Sequence, residues 1–275
     1  MKRIIFLTVV MVLAGYRLHA QEKTVVELWK TDSVLKTPES VLLDPYTKTI
    51  YISNIDGEPW GKDGKGSIGK IGADGKNLVV DWVKGLQAPK GMGLYKDKLY
   101  VADVDEIVVI DVKAAKIAQR IPVAGSVNLN DVTVSPTGDV YVSDSKTGEI
   151  HLLRNGVLSK YLSGLNGING VLSTADGFYF VAKGALYKAN AGEHIKLAEG
   201  MEPSTDGVVQ TKSGDFIVSS WVGVVYYIKK DGSKTELLNT MERKLTSADI
   251  DFDPVNNILY VPTFFSNTVV AYQVK

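Results

Sequence analysis

One phrase occurs six times along this chain, and it constrains the fold more than any other feature. Each copy has a small polar signature, a short apolar stretch, a turn, and an aromatic-rich stretch that ends in a small or acidic residue. The copies read ESVLLDPYTKTIYISN, KGMGLYKDKLYVAD, NDVTVSPTGDVYVSD, NGVLSTADGFYFVAK, DGVVQTKSGDFIVSS and ADIDFDPVNNILYVPT, and they begin at Glu39, Lys90, Asn130, Asn169, Asp206 and Ala248. A spacing of roughly 40 residues with about four strands per copy is typical of propeller blades. The sequence therefore predicts an all-β fold, a six-bladed β-propeller of four-stranded antiparallel blades.

Turn signals within the copies supply the third and fourth strands of each blade. Alternating runs such as EIHLLRNGVLSKYL are joined by Asn-Gly or Asp-Gly pairs, which are strong hairpin signals. These pairs are Asn155-Gly156, Asp231-Gly232 and Asp74-Gly75. The last copy has a third strand, NTVVAYQVK, but no fourth. The segment TVVELWK has no hairpin partner, so we expect residues 25–29 to pair with residues 268–274 and close the ring.

The first twenty residues are typical of a secretory signal peptide. Lys2 and Arg3 precede an apolar run at residues 4–14, and the segment ends in Leu18-His19-Ala20. That run is too short to span a bilayer as a stable helix. We therefore divide the chain into a signal peptide, residues 1–20, and a single propeller domain, residues 21–275. The sequence has no cysteine, which excludes a lipoprotein anchor and disulfides, and we expect a periplasmic or secreted protein.

Charge limits the partners of the mature chain. The full sequence has 31 basic and 31 acidic side chains. Cleavage would remove three basic residues, Lys2, Arg3 and Arg17, and no acidic residue, so the net charge would fall to about −3. No basic cluster or stripe is present, which makes nucleic-acid binding unfavourable. We expect a monomer that binds a small molecule and has no membrane contact once the signal peptide is cleaved.

Polar residues open the repeats, and blade symmetry should bring them together at one end of the central channel. They are Glu39, Lys90, Asn130 with Asp131, Asn169, Asp206 and Asp249. Carboxylates that converge in a narrow channel repel one another, and a bound cation relieves that repulsion. Carboxylate and amide oxygens without Cys or His favour one divalent cation, Ca²⁺ first and Mg²⁺ or Mn²⁺ as alternatives.

Four of these motifs resemble those of the senescence marker protein / gluconolactonase / luciferin-regenerating enzyme family. They are TPESVLLDP, LNDVTVSP, NGVLS and TDGVV, and the resemblance extends over residues 35–275. In that family one divalent cation is held by a Glu, an Asn and an Asp, so the resemblance implies Glu39, Asn169 and Asp206 as metal ligands. Family enzymes hydrolyse sugar lactones or related esters. The resemblance implies a cation that polarises the carbonyl, and Asp206 as the catalytic base or water-positioning residue.

The same resemblance implies that Asn130 contacts the substrate or a water molecule. We assign further substrate-binding roles to Asn128, to Asp249, and to aromatic side chains of loops on the same face, namely Trp60 in the long segment of residues 54–66, Trp221 and Phe264. Two features differ from the family pattern. Ser40-Val41 follows Glu39 where many members have Gly-Pro, and no Arg adjoins Asn130. Both differences point away from gluconolactone more than they point away from the metal site.

Two functions fit these residues. The first is a secreted, divalent-metal-dependent hydrolase that acts on a sugar lactone or related ester. The second is a non-catalytic propeller of the NHL-repeat kind that binds a protein or glycan at the channel mouth. The fold alone does not distinguish them, and metal content together with turnover on lactones and esters would.

Overall fold

A computed structural model describes residues 23–190 and 193–275 of the chain. These residues form six four-stranded antiparallel sheets, and the first strands of neighbouring sheets lie side by side around a central axis. The predicted six-bladed propeller is therefore confirmed. The predicted signal peptide, residues 1–20, lies outside the described residues. Within the described part of the chain, no helix is long and apolar enough to cross a membrane.

The strands follow the sequence repeats in order, apart from the first strand, which belongs to the last blade. That strand is β1 (Val25–Lys30). Blade one contains β2 (Pro38–Asp44), β3 (Thr49–Asn54), β4 (Gly66–Gly72) and β5 (Val79–Leu86). Blade two contains β6 (Pro89–Tyr95), β7 (Lys98–Asp103), β8 (Glu106–Asp111) and β9 (Lys116–Pro122). Blade three contains β10 (Leu129–Val134), β11 (Val140–Asp144), β12 (Glu149–Arg154) and β13 (Val157–Leu162).

The second half of the ring repeats this arrangement. Blade four contains β14 (Ile168–Thr174), β15 (Gly177–Ala182), β16 (Ala185–Asn190) and β17 (Glu193–Ala198). Blade five contains β18 (Thr205–Gln210), β19 (Phe216–Ser220), β20 (Val224–Ile228) and β21 (Lys234–Asn239). Blade six contains β22 (Asp251–Asp253), β23 (Ile258–Pro262), β24 (Val269–Val274) and β1. Two short 3₁₀ helices, Met241–Arg243 and Phe264–Ser266, lie in connecting loops.

The ring closes through the strand that the sequence left without a hairpin partner. Strand β1 pairs antiparallel with β24, so that Val25 lies opposite Val274 and Lys30 lies opposite Val270. The Lys275 amide also donates a 2.9 Å hydrogen bond to the Thr24 carbonyl. The predicted closure is confirmed, and it pairs the free edge of β24.

Apolar residues between the blades form the core. One cluster packs Tyr260, which is fully buried, against side chains of blade one such as Val41 and Ile50. Outermost strands show the opposite pattern, since most residues of β9 and β13 are exposed or half-buried. The aromatic residue that recurs in the second strand of the copies packs between blades, and Tyr51 and Tyr179 are both buried. Each blade therefore has two faces covered by its neighbours and one outer edge exposed to solvent.

The inner strands surround a channel with two different ends. We call the end at which the innermost strands begin the upper face, and the end that carries the hairpins of residues 44–49 and 95–98 the lower face. A cavity of about 720 Å³ extends from these lower hairpins along the inner strands and ends at Asp131 and Asp249. Five of the polar residues that open the repeats, Glu39, Lys90, Asn130, Asn169 and Asp206, do not line this cavity and lie one strand position nearer the upper face.

Candidate metal centre

The second residue of the innermost strand in blades one to five forms a ring at the upper face, which we call the first ring. It contains Glu39, Lys90, Asn130, Asn169 and Asp206, and the equivalent position of the sixth repeat is Ala248, three residues before β22. Glu39, Lys90 and Asp206 are only 5%, 3% and 4% exposed. Five of the predicted channel-mouth residues are therefore at one level of the fold, because the repeats place them at the same strand position.

The residues that follow the first-ring positions form a second ring, one step deeper. Its members are Ser40, Gly91, Asp131, Gly170, Gly207 and Asp249. We expected Asp249 among the residues that open the repeats, but the register places it here, because Ser40 pairs with Asp249 across the seam between blades one and six. The sequence indicates the same position, because aligning Ala248-Asp249-Ile250 with Asp206-Gly207-Val208 places Asp249 opposite Gly207 and not opposite Asp206. The substrate-binding role of Asp249 stays a prediction.

The glycines of the second ring are required by the closeness of neighbouring strands. A Cβ atom on Gly170 would collide with the Asp206 carbonyl oxygen of the next blade, and a Cβ on Gly91 would collide with Asp131. A side chain at these positions would push the inner strands apart. The glycines thus fix how near the first-ring residues of adjacent blades come to one another.

Carboxylates of the second ring have hydrogen-bond donors from the protein itself. Asp131 Oδ2 accepts a bond from the Val171 amide of blade four at 2.6 Å, and its Oδ1 accepts one from the Val132 amide at 2.6 Å. Asp249 Oδ2 accepts a bond from Ser40 Oγ at 2.5 Å. Burial raises the pKa of Asp131 to about 8 even though its two amide donors act in the opposite direction. These carboxylates connect neighbouring blades.

The first ring is different, because two of its oxygens have no donor. Glu39 Oε2 and Asn169 Oδ1 are buried and lack a hydrogen-bond partner among the described residues. Buried polar atoms are paired in the great majority of cases, and leaving one unpaired costs about 1–3 kcal/mol. The Asn169 side chain is near enough to Asp206 to lower the pKa of that carboxyl, so the two residues are neighbours. These two unpaired oxygens, one carboxylate and one amide, next to the second carboxylate, Asp206, are a suitable set of ligands for a hard cation.

Electrostatics of the first ring favour a bound positive charge. Burial raises the pKa of Glu39 to about 6, and the charge of Lys90 opposes this change. The pKa of Asp206 lies well above its usual range, first because of burial and then because of the nearby charges of Glu39 and Asp131. No group of three or more Asp, Glu, His or Cys side chains that could hold a metal occurs in the described residues. A cation here would therefore depend on the Asn169 amide oxygen as well as on carboxylates, which is the set named from the sequence.

Lys90 is the first-ring residue to which the sequence analysis gave no role. Its Nζ lies 3.8 Å from Glu39 Oε1 and 4.2 Å from the centroid of the Trp60 ring. Burial lowers the pKa of Lys90, while the charges of Glu39, Asp206 and Asp103 raise it. The signal was present in the sequence, since a lysine opens the second repeat where four other repeats open with an acid or an amide.

Asn130 and Asn128 have different environments. Asn130 belongs to the first ring, and its Nδ2 donates to Ser145 Oγ at 2.9 Å. Asn128 is half-buried, and its main chain bonds to Asp144 Oδ1 at 3.3 Å and to the Ser145 amide at 3.0 Å. The contacts of Asn128 are thus those of a turn residue, while those of Asn130 orient its amide within the ring.

The three predicted aromatic residues lie around the upper face in two groups. Trp60 covers Lys90. Trp221 makes edge-to-face contacts with Phe264 and Phe265, with ring centroids 5.9 and 6.0 Å apart. The Trp221 main chain bonds to Ser204 at 2.8 Å and to Ser247 at 3.3 Å, directly before the inner strands of blades five and six.

Phe264 and Phe265 differ in exposure. Phe264 is buried in a cluster with Ile55, Ala88, Val104 and Ala248, whereas Phe265 is 66% exposed. Trp221, at 36% exposed, lies between these extremes. Phe264 therefore supports the upper face from within, and substrate contact by Trp60, Trp221 or Phe264 stays a prediction.

Comparison with known proteins agrees with this architecture. No protein-family model and no curated protein matches the chain. Among solved structures, a gluconolactonase from Xanthomonas campestris is similar with a TM-score of 0.70 and 15% identity, over 91% of this chain and 89% of that one. A luciferin-regenerating enzyme is similar with a TM-score of 0.63 and 14% identity, over 92% and 95%.

A third similar structure is a catalytically inactive virginiamycin B lyase from Staphylococcus aureus, solved with quinupristin. Its TM-score is 0.65 and its identity 12%, over 92% of this chain and 99% of that one. The names of the other two neighbours are those of the family that the sequence motifs resemble. At these identities the likeness establishes the fold alone, and the six-bladed propeller of this chain is similar in fold to gluconolactonase, luciferin-regenerating enzyme and virginiamycin B lyase.

Proposed function

We propose that this chain is a divalent-cation-dependent hydrolase of a lactone or related ester, exported to the periplasm or the medium. One observation supports this proposal more strongly than any other. Glu39 Oε2 and Asn169 Oδ1 are buried without hydrogen-bond partners in the described structure, and Asp206 adjoins Asn169. These are the three residues that the sequence motifs named as metal ligands. Oxygen ligands of this kind favour Ca²⁺, with Mg²⁺ and Mn²⁺ as alternatives.

Charge and position suggest a role for each residue. Glu39 and Asp206 carry two negative charges that would balance a divalent cation, and Asn169 adds a neutral oxygen. Such a cation, when bound, stabilises negative charge that develops on a carbonyl oxygen. Asp206 would orient or deprotonate the attacking water. A general base must lie within hydrogen-bond reach of the water that it deprotonates. Asn130, whose amide is oriented by Ser145, would hold the substrate or that water.

The similar structures support hydrolysis without establishing it. Gluconolactonase and luciferin-regenerating enzyme are named for their activities, and the third neighbour is a lyase. Proteins with similar folds thus have different activities, so the residues of the site, and not the fold, indicate the reaction. The first ring of this chain, with two carboxylates and two amides, is the feature that favours the hydrolase.

A direct test combines metal content, stability and turnover. Purified residues 21–275 should contain one divalent cation per chain, and a chelator should lower the melting temperature. Acid release from aldonolactones and aryl esters is then followed with Ca²⁺, Mg²⁺ and Mn²⁺. Asp206→Asn and Glu39→Gln should each reduce cation-dependent turnover by about a hundredfold or more. Asp176→Asn, which alters an exposed carboxylate on the lower face of blade four, is the matched control.

The outcomes separate the candidate functions. Cation binding with no turnover on any lactone or ester would favour the alternative, a non-catalytic propeller that binds a protein or glycan. Turnover that survives both the chelator and Asp206→Asn would contradict the proposed site. Absence of both cation binding and turnover would contradict the proposal as a whole.

A further inference from the structure

We propose that Lys90 is a tethered counterion of Glu39 that competes with the divalent cation and keeps the site weak and exchangeable. This inference rests on the cation site of the proposed function. It assigns a role to the one basic residue of the first ring, and it predicts that removing its charge strengthens cation binding.

The position of Lys90 makes it a competitor for the same oxygens. Its side chain is 3% exposed, and its Nζ lies 3.8 Å from Glu39 Oε1, while the other oxygen of Glu39 has no partner in the described structure. Asp206, the second carboxylate proposed to hold the cation, is also near enough for its charge to act on Lys90. An ammonium group here neutralises half of the negative charge that a divalent cation would use.

The loop of blade one holds Lys90 in this position. Trp60, in the segment of residues 54–66, covers the Lys90 ammonium with its ring at 4.2 Å. Two bonds tie this segment to blade two, from the Gly64 amide to Gln87 Oε1 at 3.0 Å and from Lys62 to Asp105 at 2.5 Å. A cation over an indole face is stabilised, most strongly when it is shielded from water. Trp60 therefore favours the ammonium inside the ring over an ammonium displaced into solvent.

Positive charges that share one carboxylate repel each other, and in a buried site this repulsion is little reduced by solvent. A divalent cation on Glu39 and Asp206 would have to displace Lys90 or bind beside it. Either way the Lys90 charge lowers cation affinity, and the same charge limits the repulsion between Glu39 and Asp206 before a cation arrives.

Isothermal titration of the purified protein with Ca²⁺ tests the inference. Lys90→Met keeps the length of the side chain and removes its charge, so it should raise the Ca²⁺ affinity at least about tenfold. Lys90→Arg keeps the charge and should not raise the affinity. Trp60→Leu removes the aromatic support and should raise it by a smaller factor. Lys98→Met, an exposed lysine on the lower face of the same blade, is the control and should bind as the wild type does.

Each result has one reading. Tighter binding by Lys90→Met but not by Lys90→Arg or Lys98→Met, or binding by Lys90→Met when the wild type binds none, supports the inference. Equal Ca²⁺ affinity in Lys90→Met and wild type would overturn it and leave the proposed cation site intact. Absence of binding in every protein would overturn the cation site itself, and the inference with it. If Lys90→Met folds poorly, its refolding yield with and without Ca²⁺ gives the same comparison, since tighter binding predicts stronger rescue.

Discussion

Ser40 Oγ donates a 2.5 Å hydrogen bond to Asp249 Oδ2 across the seam at which the last blade meets the first. The two residues also pair through their main chains as neighbouring inner strands. Both side chains are buried, and burial raises the pKa of the Asp249 carboxyl well above its usual range. The bond therefore satisfies a buried carboxylate and links two blades that are joined in sequence only through β1.

Ser40→Ala removes this donor and leaves the Asp249 carboxylate buried without it. Loss of a partner to a buried polar group costs about 1–3 kcal/mol, so we expect the free energy of unfolding to fall by that amount in urea titrations. Ser33→Ala is the control, because its exposed hydroxyl donates to the Ser266 carbonyl at 2.7 Å. That change should cost less than about 0.5 kcal/mol. Equal stability of Ser40→Ala and wild type would show that the seam bond is not needed.

Trp29 provides a second link across the closing seam. Its Nε1 donates to the Ala73 carbonyl of blade one at 3.1 Å, and its ring lies 6.1 Å from that of Tyr260 in blade six. We expect Trp29→Ala to lower the free energy of unfolding by about 2–3 kcal/mol, from lost apolar burial and one lost hydrogen bond. Leu28→Ala, on the exposed side of β1, should change it by less than about 0.5 kcal/mol. Similar effects of both changes in thermal and urea unfolding would argue against this role.

The seam shows which parts of the fold are readable from the sequence. Pairing of residues 25–29 with the last strand was predictable, because the sixth repeat lacks a fourth strand and β1 has no local partner. The level of Asp249 was not assigned correctly, because its repeat opens with Ala248 and the next polar residue was taken in its place. A shift of one residue along a strand decides which ring a side chain joins.

The positions of the proposed ligands were predictable from the sequence, but their contacts were not. Repeat symmetry predicts that Glu39, Asn169 and Asp206 lie at equivalent strand positions, and the family resemblance implies them as ligands, which stays a prediction. The pairing of Lys90 with Trp60 could not, because it depends on how a thirteen-residue segment, residues 54–66, folds back over the neighbouring blade. Irregular segments have no period from which such a contact follows.

Gly170 offers a test of how strand spacing controls the site. A Cβ atom at this position would meet the Asp206 carbonyl oxygen and lie 3.0 Å from Val181 Cγ2. Backbone atoms cannot move aside as a flexible side chain can. Gly170→Ala should therefore displace Asp206 and lower the free energy of unfolding, measured in urea, by about 1–3 kcal/mol. Weaker Ca²⁺ binding in isothermal titration should accompany that loss. Gly57→Ala is the control, since its Cβ would meet only the Asp63 side chain of the same loop.

Buried carboxylates of the channel and blades predict how stability depends on pH when no divalent cation is present. Burial raises the pKa of Asp131 to about 8, and it raises those of Asp103 and Asp251 to about 6 although each accepts two or more amide hydrogen bonds. In the unfolded chain such groups titrate near pH ~4. Between about pH 4 and pH 8 the folded protein therefore binds more protons than the unfolded chain does. The stability contributed by these groups is complete below pH ~4 and is lost as the pH rises through their folded pKa values.

We therefore expect the free energy of unfolding, measured in urea with a chelator, to fall as the pH rises from 5 to 8. Each excess proton in the folded state contributes a slope of about 1.4 kcal/mol per pH unit. Burial lowers the pKa of His151, which opposes this trend below its ordinary pKa but not above it. The part of the decrease between pH 6 and pH 8 should therefore come from Asp131 together with Asp206 and Asp249, whose pKa values burial also raises well above their usual range, and Asp131→Asn should reduce it. A stability that is constant or rises over this range in the wild type would show that these carboxylates are ionised at neutral pH, Asp131 being held so by its Val132 and Val171 amide donors.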